Sequence, residues 1–322
     1  MVAIVLLESS LTETSFSIAV LTKNNTNPAY IGARVGIDRM IEHFGCRAVH
    51  YVPRRPDDVG EQITLVSKAL DRIPDAIIMC PTHPTRLAGA IQSIEASGTP
   101  LFFFVSETDI SPAVSCVGSD DEALGHAMAW RLAVHLEGRG AVAIVGGHPD
   151  AATSAPRTKG FLRALETFPG IEVVTQCRGD YQRDTAYTAF SKALRSISDL
   201  DGVIVANDFM ALGVLDALTQ TGRQVPVVGA NATPHGIELI KTGRMIASAA
   251  FDAMSMGALA VEAAVRTLRG EKVPARIELP VKLVDQTNLS DWDCDYSFRK
   301  TVPWETAISQ HPQARSNMES LA

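Results

Sequence analysis

Polar and aromatic residues recur in this sequence directly after short apolar runs that are typical of buried strands. Amide, hydroxyl, carboxylate and guanidinium groups can exchange hydrogen bonds with hydroxyl groups, and aromatic faces can cover C–H surfaces. The positions that combine these chemistries are Asn27, Tyr30, Ser106, Glu107, Arg157, Tyr181, Asn207, Asn231 and Phe251. Together they are suited to a hydroxyl-rich small molecule.

Asn231 shows the pattern most clearly. In VPVVGANATPHGIELIKTG, residues 225–243, an apolar run stops just before Asn231, and Thr233-Pro234 opens a helix. An amide between a strand and a helix can contact a ligand, or it can form an Asx turn with Thr233. The residues alone leave both interpretations open.

Structural roles are also open for the other candidates. Helix caps or core positions would explain Asn27, Tyr30, Asn207, Asp208 and Phe251. For Asp208, capping the helix FMALGVLDAL is the preferred interpretation. Arg157 could be a surface residue near a helix start, but a cation there opposes the helix dipole, which favours a binding role.

The sequence contains none of the motifs G-x-G-x-x-G, Walker loop, H-E-x-x-H or G-x-S-x-G. Gly146-Gly147 follows an apolar run, where a plain turn explains it better than a phosphate contact. Cys80 and His83 lie close together in CPTHP, but no third group is evident to orient them. The eight histidines lack metal-ligand spacing. We therefore expect no enzyme activity, metal or cofactor.

The bulk composition is that of a globular protein, with 322 residues, 46% apolar and 20% charged. A net charge of −7 without a long basic run argues against nucleic-acid binding. No C-x-x-C pair occurs among the five cysteines, which we interpret as small buried residues: Cys46, Cys80, Cys116, Cys177 and Cys294. No apolar run approaches the ~20 residues that a membrane span needs.

The candidate residues depend on a repeating order of strand, loop and helix. Runs such as SIAVLT, AIIMCP and PLFFFV are continuously apolar, as expected for strands with helices on both faces of a sheet. Gly45, Gly98 and Gly243 are expected to end helices in the left-handed conformation, and Ser119 or Asp120 to begin one. The pattern predicts two consecutive parallel α/β units. It fails after residue 290, where a tail carries Trp292, Tyr296, Phe298 and Trp304.

Seven segments in order resemble the type I periplasmic sugar-binding proteins of ABC importers, the group of ribose- and galactose-binding proteins. They are NPxYxxxxxG at 27–36, PDAIIMCPTHPTRL at 74–87, VGSDDEALG at 117–125, RTKGF at 157–161, ANDFMALGVLDAL at 206–218, VVGANATP at 227–234 and MGALAVEAAV at 256–265. The resemblance implies two doubly wound parallel-sheet domains joined by a hinge of three crossings. The implied division is 16–118 plus 253–281, 119–252 plus 282–290, and a tail at 291–322, with crossings near Gly118, Asp252 and Lys282.

The resemblance also implies that all of the candidates except Glu107 contact a ligand between the domains, with Arg157 as the only fixed cation. Relatives usually carry Asp where Asn231 stands and an Asp-Arg pair where Val105-Ser106 stands. The position of Phe251 is often polar in them. These departures leave the fold assignment intact, but they favour a polyol, a deoxy sugar or a ligand with its own acceptors over an ordinary sugar. An amino sugar is reasonable if Glu107 enters the cleft.

We interpret the chain as a periplasmic solute receptor that closes on a sugar, polyol or amino sugar and delivers it to an ABC permease. We expect a monomer and an export signal upstream of the segment VAIVLL. The alternatives are a receptor that feeds a sensor kinase and the sensing domain of a lactose-repressor-type regulator. The latter needs a DNA-binding region of about 50–60 residues. Only fifteen residues, without Lys or Arg, precede the first expected strand.

Overall fold

Two six-stranded sheets organise the part of the chain that the computed structural model describes, residues 15–111 and 113–309. Sheet A has the strand order β11-β5-β4-β3-β1-β2 and is parallel throughout. Sheet B has the order β12-β10-β9-β8-β6-β7 and is parallel except for β12. The strands are β1 (Ser17–Leu21), β2 (Arg47–Tyr51), β3 (Ala76–Met79), β4 (Leu101–Phe104), β5 (Ser115–Ser119), β6 (Arg139–Gly146), β7 (Gly170–Arg178), β8 (Gly202–Val205), β9 (Val227–Ala230), β10 (Ala247–Ala250), β11 (Arg276–Leu279) and β12 (Lys282–Val284).

Helices follow most strands, as the alternating pattern predicts. They are α1 (Pro28–His43), α2 (Val59–Leu70), α3 (Ala88–Ser97), α4 (Asp121–His135), α5 (Ser154–Leu165), α6 (Arg183–Leu194), α7 (Asp208–Gln220), α8 (Pro234–Lys241), α9 (Ala253–Leu268) and α10 (Trp304–Ser309). Gly45, Gly98 and Gly243 have φ of 64°, 71° and 71°, the left-handed conformation expected at helix ends. Asp120 begins α4, since its Oδ1 accepts from the Ala123 amide at 2.8 Å.

The two sheets define two α/β domains, which confirms the predicted fold class. The central strands β3, β4, β8 and β9 are buried along their whole length because helices cover both sheet faces. Helix α9 packs on α1 and on sheet A, whereas α4 packs on α5 and on sheet B. We call the two units the sheet A domain and the sheet B domain.

Consecutive strands lie in different sheets at three places along the chain: between β5 and β6, between β10 and β11, and between β11 and β12. Of the residues expected at crossings, Gly118 lies within β5, Asp252 lies between β10 and α9, and Lys282 begins β12. Pro280 separates the last two strands. Because the carboxyl ends of both parallel sheets bear loops that face one cleft, ligand contacts are expected there.

The described part of the predicted tail packs against the domains. Tyr296 and Trp304 are buried, whereas Phe298 is 80% exposed and contributes little packing. Two segments lie outside the described residues: VAIVLL near the start and residues 310–322 of the tail. Among the described helices, none is both long and apolar enough to span a membrane.

The expectation that the cysteines are small buried residues is correct at two positions. Cys80 and Cys116 are buried, while Cys46, Cys177 and Cys294 are partly exposed. Burial raises the pKa of the Cys116 thiol to about 12. All five are free thiols.

Candidate ligand-binding site

A cavity lies between the two domains, at the carboxyl ends of strands from both sheets. Side chains that follow β1, β2 and β4 meet side chains that follow β6, β7, β8, β9 and β10. The lining residues are Lys23, Asn24, Asn27, Ala29, Tyr30, Asp57, Val105, Ala151, Thr153, Arg157, Tyr181, Asn207, Asn231, Phe251 and Ala253. The cavity that these residues enclose has a volume of about 30 Å³. The cavity is therefore narrow.

Asn207 combines a structural role with a group that lacks a partner. It precedes α7, and its Oδ1 accepts from the Met210 amide at 2.8 Å, so it caps the helix. Its Nδ2 is buried and has no hydrogen-bond partner within the described chain. Because leaving a buried donor unpaired costs about 1–3 kcal/mol, this amide is suited to donating to a ligand.

Asn27 follows the same plan in the other domain. Its Oδ1 accepts from the Ala29 amide at 3.0 Å at the start of α1. Tyr30, one helical turn later, is buried with its hydroxyl 3.9 Å from the Cys80 sulfur. The capping and core roles foreseen for these two residues coexist with positions in the cavity wall.

Asn231 does not form the Asx turn that the sequence left open. The Thr233 amide donates instead to Asp208 Oδ2 at 2.9 Å, and Thr233 Oγ1 accepts from the Gly236 amide to cap α8. Asn231 has a φ of 102° and lines the cavity. Within the described residues, its side-chain amide makes no hydrogen bond, so both its oxygen and its nitrogen remain available.

Asp208 does not cap α7 as expected, because Asn207 takes that position. Its buried carboxylate accepts from the Thr233 amide, from Thr233 Oγ1 at 3.2 Å and from Ser248 Oγ at 2.7 Å. Burial raises its pKa to about 7, although the hydrogen bonds oppose that shift. Asp208 thus ties the loop after β9 to β10.

Arg157 is not a surface residue, since only 3% of it is exposed. Its Nε and Nη2 donate to Asp121, and its Nη1 donates to the Ala206 carbonyl. Burial raises the pKa of Asp121, and the charge of Arg157 opposes that shift. The guanidinium carbon lies 5.9 Å from the ring centre of Tyr181 and 5.3 Å from that of Phe251. A guanidinium has five N–H groups, so further donors remain for a ligand.

The Tyr181 ring depends on a glycine. A Cβ atom at Gly147 would lie 2.2 Å from Tyr181 Cζ, so only glycine leaves room for the ring. The Tyr181 hydroxyl lies 3.0 Å from Thr153 Oγ1. Gly147 therefore has a packing role in the cavity wall, beyond the plain turn expected from Gly146-Gly147.

The rim of the cleft is bridged by side chains from both domains. Thr26 Oγ1 donates to Gln182 Oε1 at 3.2 Å, and Arg86 lies 3.5 Å from Asp150. Thr26 follows β1 of sheet A, whereas Gln182 follows β7 of sheet B. Together with the narrow cavity, these contacts describe a closed cleft.

A model of the periplasmic binding protein domain matches residues 18–272. The chain belongs to this family. The ribose import binding protein of Bacillus subtilis is 28% identical over 272 residues, 84% of this chain and 88% of that protein. The xylitol-binding protein of Mycolicibacterium smegmatis is 30% identical over 192 residues, 59% of this chain and 55% of that protein.

Solved structures of this family agree. An ABC transporter solute binding protein from Mycobacterium smegmatis with bound glycerol superimposes with a TM-score of 0.82 at 26% identity, covering 89% of this chain and 99% of that chain. One from Bacillus halodurans with bound myo-inositol has a TM-score of 0.80 at 26% identity, with 87% and 97% covered. The predicted resemblance and fold class are confirmed, and the relatives are binding proteins.

Sequence reasoning missed four polar residues of this binding protein's cavity: Lys23, Asn24, Asp57 and Thr153. Lys23 is 2% exposed, so Arg157 is not the only cation there, contrary to expectation. Asn24 Nδ2 donates to both carboxylate oxygens of Asp57, at 3.3 and 3.2 Å. Burial raises the pKa of Asp57, and Lys23 opposes that shift. Lys23-Asn24 comes directly after Thr22 at the end of β1, so the strand-end criterion could have identified both residues.

Two expected residues lie outside the cavity. The Ser106 hydroxyl is turned into the protein, 3.4 Å from the Pro81 carbonyl and 3.7 Å from the Cys80 sulfur. Glu107 Oε1 accepts from Arg276 Nη1 at 2.7 Å, and both side chains are half exposed. Glu107 therefore does not line this cavity but a second pocket, which it shares with Thr153 of the sheet B domain, and it supplies no carboxylate to an amino sugar in the cavity.

Cys80 and His83 do not form a nucleophile and base. The Cys80 sulfur is buried, which raises its pKa, whereas His83 Nδ1 accepts from the amides of Thr85 and Arg86. A nucleophilic thiol needs a lowered pKa and an adjacent base. Neither condition is met at this position.

Proposed function

We propose that this protein binds one neutral polyhydroxylated molecule, a sugar or polyol, in the cavity between its domains. The observation that carries the proposal is Asn207 Nδ2, a buried donor in the cavity wall that has no hydrogen-bond partner among the described residues. The relatives named for ribose and xylitol, and those solved with glycerol and myo-inositol, support this ligand class.

The chemistry of the lining fits such a ligand. Asn27, Asn207 and Asn231 offer amide groups, and Asp57 offers an acceptor. Hydroxyl groups both donate and accept hydrogen bonds, so they can pair with a cavity wall that offers donors and acceptors. The rings of Tyr181 and Phe251 can cover the carbon skeleton. Both cations have carboxylates near them, Asp121 beside Arg157 and Asp57 beside Lys23, which favours an uncharged ligand.

The proposed mechanism is hinge closure without catalysis. A ligand that touches both domains only when the cleft is closed shifts the population toward that form. We propose domain boundaries of 16–118 plus 253–281 and 119–252 plus 282–290. We further propose that the protein is a periplasmic monomer that delivers its ligand to an ABC permease. Membership of the periplasmic binding protein family and the similarity to a ribose import binding protein support the location and the delivery.

A thermal-shift screen with ribose, xylitol, glycerol, myo-inositol and glucosamine tests the ligand class. A ligand at a hundredfold excess over its Kd stabilises the protein by about 2.7 kcal/mol, which raises the melting temperature measurably. If no sugar or polyol raises it, the proposed function is wrong. A response to glucosamine alone would restore the amino-sugar hypothesis.

The variant Asn207→Asp tests the site itself. Aspartate keeps the oxygen that caps α7 but replaces the donor to the ligand with an acceptor. Calorimetric titration with the ligand from the screen should show affinity reduced roughly ten- to a hundredfold. Asp120→Asn makes the reverse exchange at the cap of α4, outside the cavity, and should leave affinity unchanged. Equal affinity in Asn207→Asp would exclude donation from Asn207.

A further inference from the structure

The chain crosses between the domains a fourth time, after β12. We call residues 289–309 the C-terminal strap. The strap begins on the sheet B domain, where Asp293 Oδ1 accepts from Lys241 Nζ in α8 at 3.0 Å. It ends on the sheet A domain, where α10 packs on β11 and the Trp304 ring lies 4.8 Å from the guanidinium carbon of Arg266 in α9. Both domains are therefore joined by the strap.

Arg299 lies at the middle of the strap and is 4% exposed. Its Nη1 donates to the Ala232 carbonyl and its Nη2 to the Trp292 carbonyl, each at 2.8 Å. Its guanidinium carbon lies 4.9 Å from the ring centre of Tyr296 and 5.1 Å from that of Trp292. Removing these partners would leave a buried cation unpaired, which is strongly unfavourable.

The Ala232 carbonyl belongs to the turn that presents Asn231 to the cavity. Both residues have positive φ, 102° for Asn231 and 45° for Ala232, a conformation that side chains disfavour. Such a turn persists only where its surroundings fix it. The Asn231 amide donates to the Ala249 carbonyl, the Ala232 amide donates to Ser248 Oγ, and Arg299 holds the carbonyl of Ala232.

The same part of the strap holds α1, which carries Tyr30 into the cavity from the other domain. Arg39 in α1 donates to the backbone carbonyl of Arg299 at 2.7 Å. A Cβ atom at Gly32 would lie 2.7 Å from the Tyr296 ring, so the ring packs directly on the helix backbone. If the Asn231 turn moves away from α1, one of two hydrogen bonds must break. It is either the bond from Arg299 to the Ala232 carbonyl or the bond from Arg39 to the Arg299 carbonyl.

We propose that Arg299 is a positioning residue for ligand binding, which holds the Asn231–Ala232 turn against α1 and makes the C-terminal strap favour the closed cleft. This inference rests on the proposed function for its affinity readout, but not for its effect on domain closure. Arg299 does not line the cavity and acts through Asn231.

Small-angle X-ray scattering of the ligand-free protein tests the effect on closure. Arg299→Met keeps the aliphatic stem but removes the charge and the hydrogen bonds, so its radius of gyration should exceed that of the wild type. Phe298→Ala, at the exposed neighbouring position, should match the wild type. If Arg299→Met is folded and has the wild-type radius, or if Phe298→Ala expands equally, the proposal is wrong. Should Arg299→Met not fold, Arg299→Lys is measured by the same criterion.

Calorimetric titration with xylitol, or with the ligand from the thermal-shift screen, tests the positioning role. Affinity should fall roughly ten- to a hundredfold in Arg299→Met and recover in part in Arg299→Lys, which retains a donor. In an Asn231→Ala background the same substitution should have a clearly smaller effect, because Arg299 acts through that side chain. An undiminished effect would overturn this role. If no sugar or polyol binds the wild type, the proposed function fails, while the scattering result still decides the closure effect.

Discussion

The guanidinium carbon of Arg157 lies 5.3 Å from the ring centre of Phe251, the residue that directly follows β10. A cation held over an aromatic face and bonded to a buried carboxylate has a fixed orientation. The other N–H groups of Arg157 therefore have a fixed direction before a ligand binds.

Arg157→Ala should weaken sugar or polyol binding roughly ten- to a hundredfold, since hydrogen bonds from a charged group contribute about 1.5–3 kcal/mol. It should also lower the melting temperature, because Asp121 loses its buried partner. Calorimetry and thermal melts measure the two effects. Arg163→Ala on the same helix removes an exposed cation and should change neither substantially. Unchanged affinity in Arg157→Ala would mean that this side chain is purely structural.

Asn231→Asp should lower affinity by a similar factor at nearly constant volume. The amide offers donors that a carboxylate lacks, so oxygen lone pairs would face each other in a buried site. Calorimetric titration of wild type and variant with one ligand provides the measurement. Equal or tighter binding would show that the ligand donates to this position.

Gly147→Ala should displace the Tyr181 ring and reduce affinity, because the added methyl carbon would lie 2.2 Å from Tyr181 Cζ. Gly89→Ala is the matched control, since it lies in α3 with nothing within 4 Å. That control should bind normally and be neutral or slightly stabilised, by up to about 1 kcal/mol. Normal binding by Gly147→Ala would contradict a ligand contact by Tyr181.

Asp208 should make stability fall as pH rises from about 4 to about 7. Its pKa is raised from 3.8 to about 7, so in this range the folded protein holds a proton that the unfolded chain has lost. The contribution approaches a slope of about −1.4 kcal/mol per pH unit and levels off above pH 7. Denaturant unfolding of wild type and Asp208→Asn between pH 4 and 8 isolates it. Parallel pH profiles would contradict the raised pKa.

Ligand binding should reduce the radius of gyration, because a ligand that contacts both domains shifts open molecules toward the closed form. The contacts Thr26–Gln182 and Arg86–Asp150 bridge the rim only when the domains approach. Small-angle scattering with and without ligand gives the change, and the weakly binding Arg157→Ala variant should show none at the same ligand concentration. Identical wild-type profiles in both states would argue against hinge closure.

The strand-end criterion predicted much of the cavity because parallel strands deliver their carboxyl ends to one edge of a sheet. It misplaced Ser106 by one residue. Val105 has a φ of 70°, which turns the chain so that Val105 lines the cavity and Ser106 faces the Pro81 carbonyl. A local reversal of this kind leaves no periodic signal in the sequence.

Other parts of the site depend on contacts between distant parts of the chain. Glu107 is held by Arg276, 169 residues later, and Arg299 reaches Ala232 across 67 residues. Asp57 lies in a loop and itself has a positive φ. Asp tolerates this conformation, but an Asp in the sequence does not predict it. Neither apolar spacing nor capping patterns carry information on such pairings.

The bridged rim also has a kinetic consequence. A ligand enclosed by the Thr26–Gln182 and Arg86–Asp150 contacts cannot leave until these contacts separate. The residence time of a tightly held ligand then has a lower bound set by how often the protein opens, whatever the identity of the ligand. Ligands that differ widely in equilibrium affinity would therefore share one upper limit on the dissociation rate. A partner protein that separates the rim contacts would shorten the residence time of all of them.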